Sequence, residues 1–465
     1  MLDKIIDNIN NALYSYVLII ILVLGGLYFT FRTKFVQFRL LKEQFRSVTE
    51  KTDKNSVSSF QALMVSTASR VGTGNIIGVA TALCIGGYGS VFWMWLIALL
   101  GASSAFIEST LAQIYKKKGS DGCYGGPAYY IEAALKSRPL AIVFSIFLIL
   151  TYGVGFNMLA SYNLQSTFEV YSFYNAETSP WIIGLIVAAF VCFCLFGGGK
   201  RVIKATTFIV PIMGVAYILV AIIVTALNYK TIPTVFYRIF TEAFDFKAIF
   251  GGFSGSCVMY GIKRGLFSNE AGVGSAPNAS ASAEVTHPVK QGLVQVLSVF
   301  IDTILVCTAT AFMCLCSGVE PSKVYEGADY VQAAMRNALG DFGPIFITIA
   351  MLLFAFTTLL GNLFYVDKSF CYLFKKVPSK KFMHGYYIVA SLLIFVGAGL
   401  SAGLLWDIAD ITMGGMALIN MPVIFILSKY SINALKDYTD QRKLGKEPEF
   451  KAKNIKLPHK TDYWN

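Results

Sequence analysis

The sequence predicts an all-α, polytopic membrane protein of about eleven transmembrane helices, on the strength of three observations. The 465 residues are 55% hydrophobic and only 14% charged, whereas a soluble domain carries about 25% charged residues. Eleven apolar segments are each long enough to cross about 30 Å of hydrocarbon. Two of these segments are interrupted by polar residues and glycines at equivalent places in the chain.

The apolar segments follow one another along almost the whole chain. Their limits are 13–31, 58–85, 89–115, 139–163, 180–198, 202–228, 246–275, 289–317, 343–370, 382–402 and 404–429. The first segment is too long for the core of a signal peptide and lacks a small-residue cleavage site. It is therefore predicted to remain in the protein as a helix.

Lysine and arginine placement orients the helices. If the loop at residues 32–57 faces the cytoplasm, 29 of the 39 basic residues lie on that side and six on the other. Because positive residues are enriched on the cytoplasmic side, the N-terminus is predicted outside and the C-terminus inside. The net charge of +12 then reflects topology, and no nucleic-acid partner is predicted.

The two interrupted spans divide the chain into two sets of five helices. Because five is odd, the second set enters the membrane from the opposite side, which makes an inverted repeat preceded by one extra helix. The predicted divisions are an accessory transmembrane helix with a basic loop (1–57), the first repeat (58–228, broken at 70–75), an outer connection (229–245), the second repeat (246–430, broken around 260–272) and a solvated or lipid-facing tail (431–465).

Disulfides, metal centres and enzymatic sites are not predicted. All but one of the nine cysteines lie in or beside apolar runs, and the three histidines are isolated from one another. The sequence contains no HExxH, GxSxG or GxxxxGKS/T motif. The protein is therefore predicted to be no enzyme and to use no cofactor.

Each interrupted span carries groups that a lipid-facing helix could not hold. The first contains SRVGTGN at 69–75, and the second contains Lys263, Arg264 and Glu270. A charge at the centre of a membrane helix costs about 2.5 to 3.5 kcal/mol, and irregular backbone survives only against protein or a water-filled cavity. The alternative is that the glycines merely allow the helices to pack closely. Interruptions at corresponding positions of two halves instead indicate a transporter's binding site at the membrane midplane.

Four stretches resemble the alanine or glycine:cation symporter family of sodium-coupled amino-acid carriers. They are STASRVGTGNIIGVATA (66–82), GGPAYYIEAAL (125–135), RGLFSNEAGVGSAP (264–277) and QGLVQVLSVFIDTILVCTATA (291–311). Their order and spacing agree from about residue 10 to residue 430. The resemblance implies a leucine-transporter-like fold of five-plus-five inverted repeats.

The resemblance also implies a substrate site. It places the backbone amides of Thr73 and Gly74 at the substrate carboxylate, with Asn269 and Gln165 near the substrate. From the residues alone, Gln165 could equally bond another helix. At Asn362, where family members often carry tryptophan, the smaller polar residue enlarges the pocket or offers a partner to a side-chain amide.

By similarity to the same fold, a sodium site combines backbone carbonyls with hydroxyl groups. The carbonyls are those of Ala68 and Val71, and the hydroxyls are those of Thr357 and Thr358. Carbonyl and hydroxyl oxygens suit a hard cation. The alternative for the threonine pair is that both hydroxyls bond back to their own helix.

The charged residues inside the spans are predicted to form gate or packing ion pairs with one another, and they are Arg70, Lys263, Arg264, Glu270 and Asp302. Asp302 could instead serve as a proton or cation coupling group. Asn75 could orient the first break or donate an oxygen to a cation.

These inferences predict a sodium-coupled symporter that imports small neutral amino acids by alternating access. Alanine and glycine are the expected substrates, with glutamine, asparagine and serine as further candidates, and sodium is the co-transported ion. The predicted location is the cell (inner, cytoplasmic) membrane, with the lipid bilayer as surroundings and the oligomeric state left open. A proton-coupled carrier of the same fold is the first alternative, and an ion channel is the second.

Overall fold

Helices make up most of the structure, a computed structural model that describes residues 10, 12–50, 56–119, 122–245, 249, 252, 256–325, 327–457 and 461–464. In chain order they are α1 (Leu18–Arg32), α2 (Val36–Arg39), α3 (Leu41–Val48), α4 (Ser59–Arg70), α5 (Gly74–Gly86), α6 (Gly89–Ile114), α7 (Pro127–Leu135), α8 (Arg138–Ser166), α9 (Ser179–Leu195), α10 (Gly198–Leu227), α11 (Ile232–Ala243), α12 (Cys257–Asn269), α13 (Pro277–Ser280), α14 (Pro288–Leu315), α15 (Ala328–Leu339), α16 (Phe342–Leu373), α17 (Lys380–Ala398) and α18 (Ala402–Lys443). The strands β1 (Lys117–Gly119) and β2 (Gly122–Tyr124) pair antiparallel after α6.

Seven of these helices are long and apolar enough to cross a membrane, namely α6, α8, α10, α14, α16, α17 and α18. The pair α4 and α5 passes the same test together, with a bend of 53° between its halves. Helices α1 and α9 are apolar but shorter. The mostly helical, multi-pass fold agrees with the prediction, while the number of crossings, the inverted repeat and the orientation stay predictions. The predicted start of the second repeat at residue 246 lies outside the described residues.

Two helices form the centre of the bundle and one lies at its edge. In the most apolar stretch of α6 and of α14, 72% of the residues are buried, against 28% in α10. Helix α6 packs against both α12 and α14. The second interrupted span is therefore held by a helix that is itself buried.

Both interrupted spans begin with a serine that caps the helix. The Ser58 hydroxyl accepts a hydrogen bond from the amide of Gln61 at 3.2 Å, and the Gln61 side chain accepts one from the Ser58 amide at 2.9 Å. At α12 the Ser256 hydroxyl accepts from the amide of Met259 at 3.3 Å. Such caps contribute about 1 kcal/mol each. Each broken helix thus has its own defined start.

The residues after α18 do not form the solvated or lipid-facing tail that the sequence predicts. Phe450, Ile455 and Trp464 are 6%, 2% and 8% exposed, and the Trp464 indole donates to the carbonyl of Gln113 at 2.7 Å. That prediction is wrong because it rested on the mixed charges of the segment. The buried aromatic and aliphatic side chains decide where the segment packs.

Candidate functional site

The first break lies between α4 and α5. Helix α4 ends at Arg70, Val71 leaves the helical region with ψ of 86°, and the chain resumes as α5 at Gly74. The Asn75 side chain closes the break by accepting from the amide of Gly72 at 2.8 Å. The break therefore spans residues 71–73, inside the predicted range 70–75.

Backbone groups at this break have no partner within their own helices. The last carbonyls of a helix and the first amides of the next lack intrahelical partners. The end of α4 also carries partial negative charge and the start of α5 partial positive charge. The carbonyl of Ala68 and the amides of Thr73 and Gly74 therefore suit a cation and a carboxylate.

Helix α16 covers the break with one hydroxyl. The Thr358 hydroxyl donates to the Ala68 carbonyl at 3.1 Å. It also lies directly over Gly72, where an added Cβ would stand 2.1 Å from the Thr358 oxygen. Gly361 approaches in the same way, since its Cβ would stand 2.7 Å from the Ser69 amide nitrogen. Glycine at 72 and 361 lets α16 reach the break.

The neighbouring threonine faces elsewhere. The Thr357 hydroxyl donates to the carbonyls of Leu353 at 2.9 Å and Phe354 at 3.1 Å, on its own helix, and lies 3.6 Å from the sulfur of Met213. The structure brings Thr358 to Ala68 and does not bring Thr357 there.

The second break begins later than the sequence predicts. Helix α12 is regular through Asn269, and the break spans 270–276 instead of lying around 260–272. Glu270 ends the helix with a left-handed φ of 51°. The Asn269 carboxamide accepts from the amide of Ala271 at 3.0 Å, and the Ser275 hydroxyl donates to Glu270 at 2.7 Å.

A small cavity lies between the two breaks. Its lining residues are Ser69, Arg70, Gly72, Thr73, Gly74, Phe156, Phe267, Glu270 and Thr358. Its volume is about 10 Å³, the space of roughly one water molecule. An amino acid can enter only if the surrounding side chains or helices move.

Aromatic rings close one side of this cavity. The ring of Phe267 lies 4.6 Å from that of Phe156 and 4.9 Å from that of Trp406. The Arg264 guanidinium stacks 3.8 Å from the Trp406 ring and lies 3.4 Å from the Asp410 carboxylate. Of this row of planar groups, Phe156 and Phe267 line the cavity.

The charged groups of the spans pair differently from the prediction. Lys263 and Arg264 both contact Asp410, at 2.7 and 3.4 Å, instead of pairing with Glu270 and Asp302. The Arg70 guanidinium donates to the Gln295 side chain at 2.9 Å. Its Nε and Nη2 have no hydrogen-bond partner among the described residues.

Asp302 is buried in a network of neutral donors. It is 0% exposed and lies in a π-helical turn of α14, a feature often found at functional sites. Its carboxylate accepts from Asn75, Ser268 and Thr303, each at 2.7 Å. Asn75 therefore connects the first break to Asp302.

A chain of side-chain hydrogen bonds lies behind Ser69. The Ser69 hydroxyl donates to Asn362 at 2.6 Å, and the Asn362 amide donates to Asn157 at 2.9 Å. The Nδ2 of Asn157 has no partner among the described groups. Asn362 therefore contacts Ser69, a residue that lines the cavity.

Gln165 lies apart from the other predicted residues. Its side chain accepts from the Tyr174 hydroxyl at 2.8 Å. Asn163, two residues earlier on α8, donates instead to the Thr73 hydroxyl at 3.0 Å. Sequence reasoning missed Asn163 and Asn157, although the stretch that holds Gln165 also contains Asn163.

No protein-built metal centre accompanies this site. Within the parts of the chain that the structure describes, there is no group of three or more His, Cys, Asp and Glu side chains arranged to hold a metal ion.

Known proteins similar to this chain are transporters. Residues 1–452 match the model of the sodium:alanine symporter family. The chain is 43% identical over 468 residues to the probable sodium/glutamine symporter GlnT of Bacillus subtilis (strain 168), covering 100% of this chain and 96% of that protein. It is 42% identical over 463 residues to the amino-acid carrier protein AlsT of the same organism, with 99% and 97% covered.

A solved structure shares the fold. The crystal structure of MhsT in complex with L-phenylalanine superposes with a TM-score of 0.55 at 15% sequence identity. The match covers 83% of this chain and 93% of that one. At this identity the likeness concerns the fold alone.

Proposed function

The chain belongs to the sodium:alanine symporter family, and from that premise we propose that it imports a small neutral amino acid together with sodium by alternating access. Membership makes it a cation-coupled amino-acid symporter, in agreement with the prediction that it is no enzyme. One observation carries the finer proposal. The Thr358 hydroxyl meets the Ala68 carbonyl at 3.1 Å, on the wall of a cavity that Thr73 and Gly74 also line.

The substrate carboxylate binds at the start of α5. The amides of Thr73 and Gly74 supply donors, and the helix dipole adds positive potential. Asn163 supports this arrangement because it holds the Thr73 hydroxyl at 3.0 Å. Glu270 lines the same cavity and provides a counter-charge for the substrate ammonium.

Sodium binds where α4 ends against α16. The carbonyls of Ala68 and Val71 and the hydroxyl of Thr358 provide neutral oxygens of the kind that hard cations prefer. Thr357 stays the weaker candidate because its hydroxyl already serves its own helix. Sodium between the two helices would hold the first break closed over the substrate.

The side-chain end of the substrate faces the polar residues behind Ser69. Asn362 and Asn157 together offer carboxamide donors and acceptors, and the Nδ2 of Asn269 has no partner among the described groups. Gln165 is bonded to Tyr174 and would take part in substrate binding only after that bond breaks. A substrate with a side-chain amide, such as glutamine, fits these groups better than alanine does.

Transport follows from closure and rocking around this site. Sodium and the amino acid enter from one side, the first break closes, and the loaded bundle opens to the other side. One sodium ion moving down 100 mV supplies about 2.3 kcal/mol. With its concentration gradient added, this suffices for roughly tens-fold accumulation at about 1.4 kcal/mol per tenfold.

The experiment is uptake of labelled alanine and labelled glutamine into proteoliposomes that contain the purified chain. Sodium and proton gradients are imposed separately, and liposomes without protein are the control. We expect accumulation driven by the sodium gradient, with glutamine taken up at least as well as alanine. Uptake that follows only the proton gradient would overturn sodium coupling and direct attention to Asp302 and Glu270.

A further inference from the structure

The segment after α18 folds back along the side of the bundle on which α4 begins. We call its described residues, 444–457 and 461–464, the C-terminal strap. The amide of Phe450 donates to the Thr286 carbonyl at 2.9 Å, and the Thr286 hydroxyl donates to the Pro448 carbonyl at 2.9 Å. The strap is thereby joined to the loop at 281–287.

That loop also holds the first turn of α4. The amide of Glu284 donates to the Val57 carbonyl at 3.0 Å. Just beyond the loop, the Gln291 side chain donates to the Ser59 hydroxyl at 2.8 Å. The strap and the start of the first broken helix are therefore both hydrogen-bonded to the same short stretch of chain, residues 284–291.

One strap residue joins three basic side chains. Glu447 lies 2.9 Å from each of Arg46, Lys290 and Arg442. Although partial burial acts to raise it, hydrogen bonds from Lys290 and Arg442 hold the pKa of Glu447 below its ordinary value. The strap is fixed by charge as well as by backbone.

Lys290 is the most buried of the three basic partners of Glu447. The Arg46 and Glu447 side chains are 55% and 49% exposed, and exposed pairs contribute little to stability because solvent screens them. The Lys290 side chain is only 2% exposed and also contacts Glu50 at 2.5 Å. Loss of Glu447 leaves Lys290 paired with Glu50 and Thr286, but it removes the most buried charged contact of the strap.

We propose that the C-terminal strap is a latch that holds the start of α4 closed, and that its release accompanies opening of the substrate site toward the side that carries the C-terminus. The proposal rests on the alternating-access function proposed above. Opening on this side moves the first turn of α4 away from Gln291. Because the strap pins the adjoining loop, weakening the strap shifts the population toward the open state.

Hydrogen–deuterium exchange on the purified full-length chain in lipid nanodiscs tests the latch. The variants are Glu447→Gln, a truncation after Lys443, and Glu449→Gln as the matched control. Glu449 lies on the same segment, is exposed, and loses the same charge. We expect Glu447→Gln and the truncation to speed exchange at least threefold both at 281–291 and at 56–70. Glu449→Gln should exchange like the wild type.

The pattern of exchange separates a latch from simple fraying. Faster exchange at 281–291 with no change at 56–70 would overturn the proposal, as would Glu447→Gln behaving like Glu449→Gln. If the truncated chain fails to fold, Glu447→Gln decides the question alone. Exchange does not depend on transport, so wild-type uptake without sodium coupling would reject the proposed function and leave the latch result standing.

Discussion

The breaks in the two interrupted spans are stabilised by different chemical groups. Neutral groups hold the first break. The Thr358 hydroxyl, from another helix, donates to the Ala68 carbonyl, and the Asn75 side chain, from the same span, accepts from the Gly72 amide. The second break is fixed by a carboxylate within it, since Ser275 donates to Glu270 at 2.7 Å.

The second break is also held from outside. Glu108 on α6 accepts from the Gly272 amide at 3.4 Å, and Asn420 on α18 donates to the Gly272 carbonyl at 2.9 Å. Both side chains are 0% exposed. Side chains from two other helices thus hold the backbone of the second break at Gly272, whereas the backbone of the first break meets a single hydroxyl, that of Thr358, on α16. We therefore expect ligand binding mainly at the first break, with Glu270 as the contribution of the second break to the cavity.

The largest expected effect is that of a substitution in the second break. Gly274 has a φ of 92°, and an added Cβ would stand 2.8 Å from Phe144 and 3.0 Å from Asn420. Gly274→Ala therefore combines backbone strain with overpacking, and we expect a loss of about 2 to 4 kcal/mol in unfolding free energy. The measurement is the melting temperature of the purified protein. Gly214→Ala is the control, because no atom lies within 4 Å of its added Cβ. Equal melting of the two variants would show that the second break is not rigidly packed.

A smaller effect is expected from a substitution beside the first break, and it tests whether that region selects the substrate. Asn362→Ala removes the acceptor for Ser69 and the donor to Asn157. If these groups read a side-chain amide, the loss should lower the preference for glutamine over alanine about tenfold, since one hydrogen bond contributes about 1 kcal/mol or more. The measurement is competition uptake of the two amino acids, with alanine uptake by the same variant as the internal control. An unchanged ratio would place substrate selection elsewhere.

The first break shows what a sequence can predict. An arginine and two glycines within seven residues of an apolar span are incompatible with a lipid-facing helix. This local conflict predicts the break, which the structure contains, while its role as a binding site stays a prediction. The family resemblance of the surrounding stretch then supplies the substrate class.

The adjacent residues Thr357 and Thr358 show what a sequence cannot predict. Thr357 and Thr358 have the same chemistry, but successive residues point about 100° apart around a helix, so only one of them faces α4. Which one does so depends on how α16 is rotated in the bundle. Asn163 and Asn157 were missed for the same reason. Their roles arise from contacts with Thr73 in the first break and with Asn362 on α16, both distant in sequence.

The C-terminal strap was mispredicted for a related reason. Its alternation of basic and acidic residues resembles a solvated segment. Its docking depends on Lys290, on the Thr286 carbonyl and on the side of α6 that offers the Gln113 carbonyl. None of these partners is recognisable before the bundle is assembled.

The most direct measurement of the central claim is the sodium concentration that gives half-maximal uptake in Thr358→Ala and in Thr357→Ala. The two variants remove the same atoms from neighbouring positions, but only Thr358 meets the Ala68 carbonyl. We expect the half-saturating sodium concentration to rise about tenfold or more in Thr358→Ala and to stay within about twofold of the wild type in Thr357→Ala. Equal shifts in the two variants, or a larger shift in Thr357→Ala, would contradict a cation site at the first break.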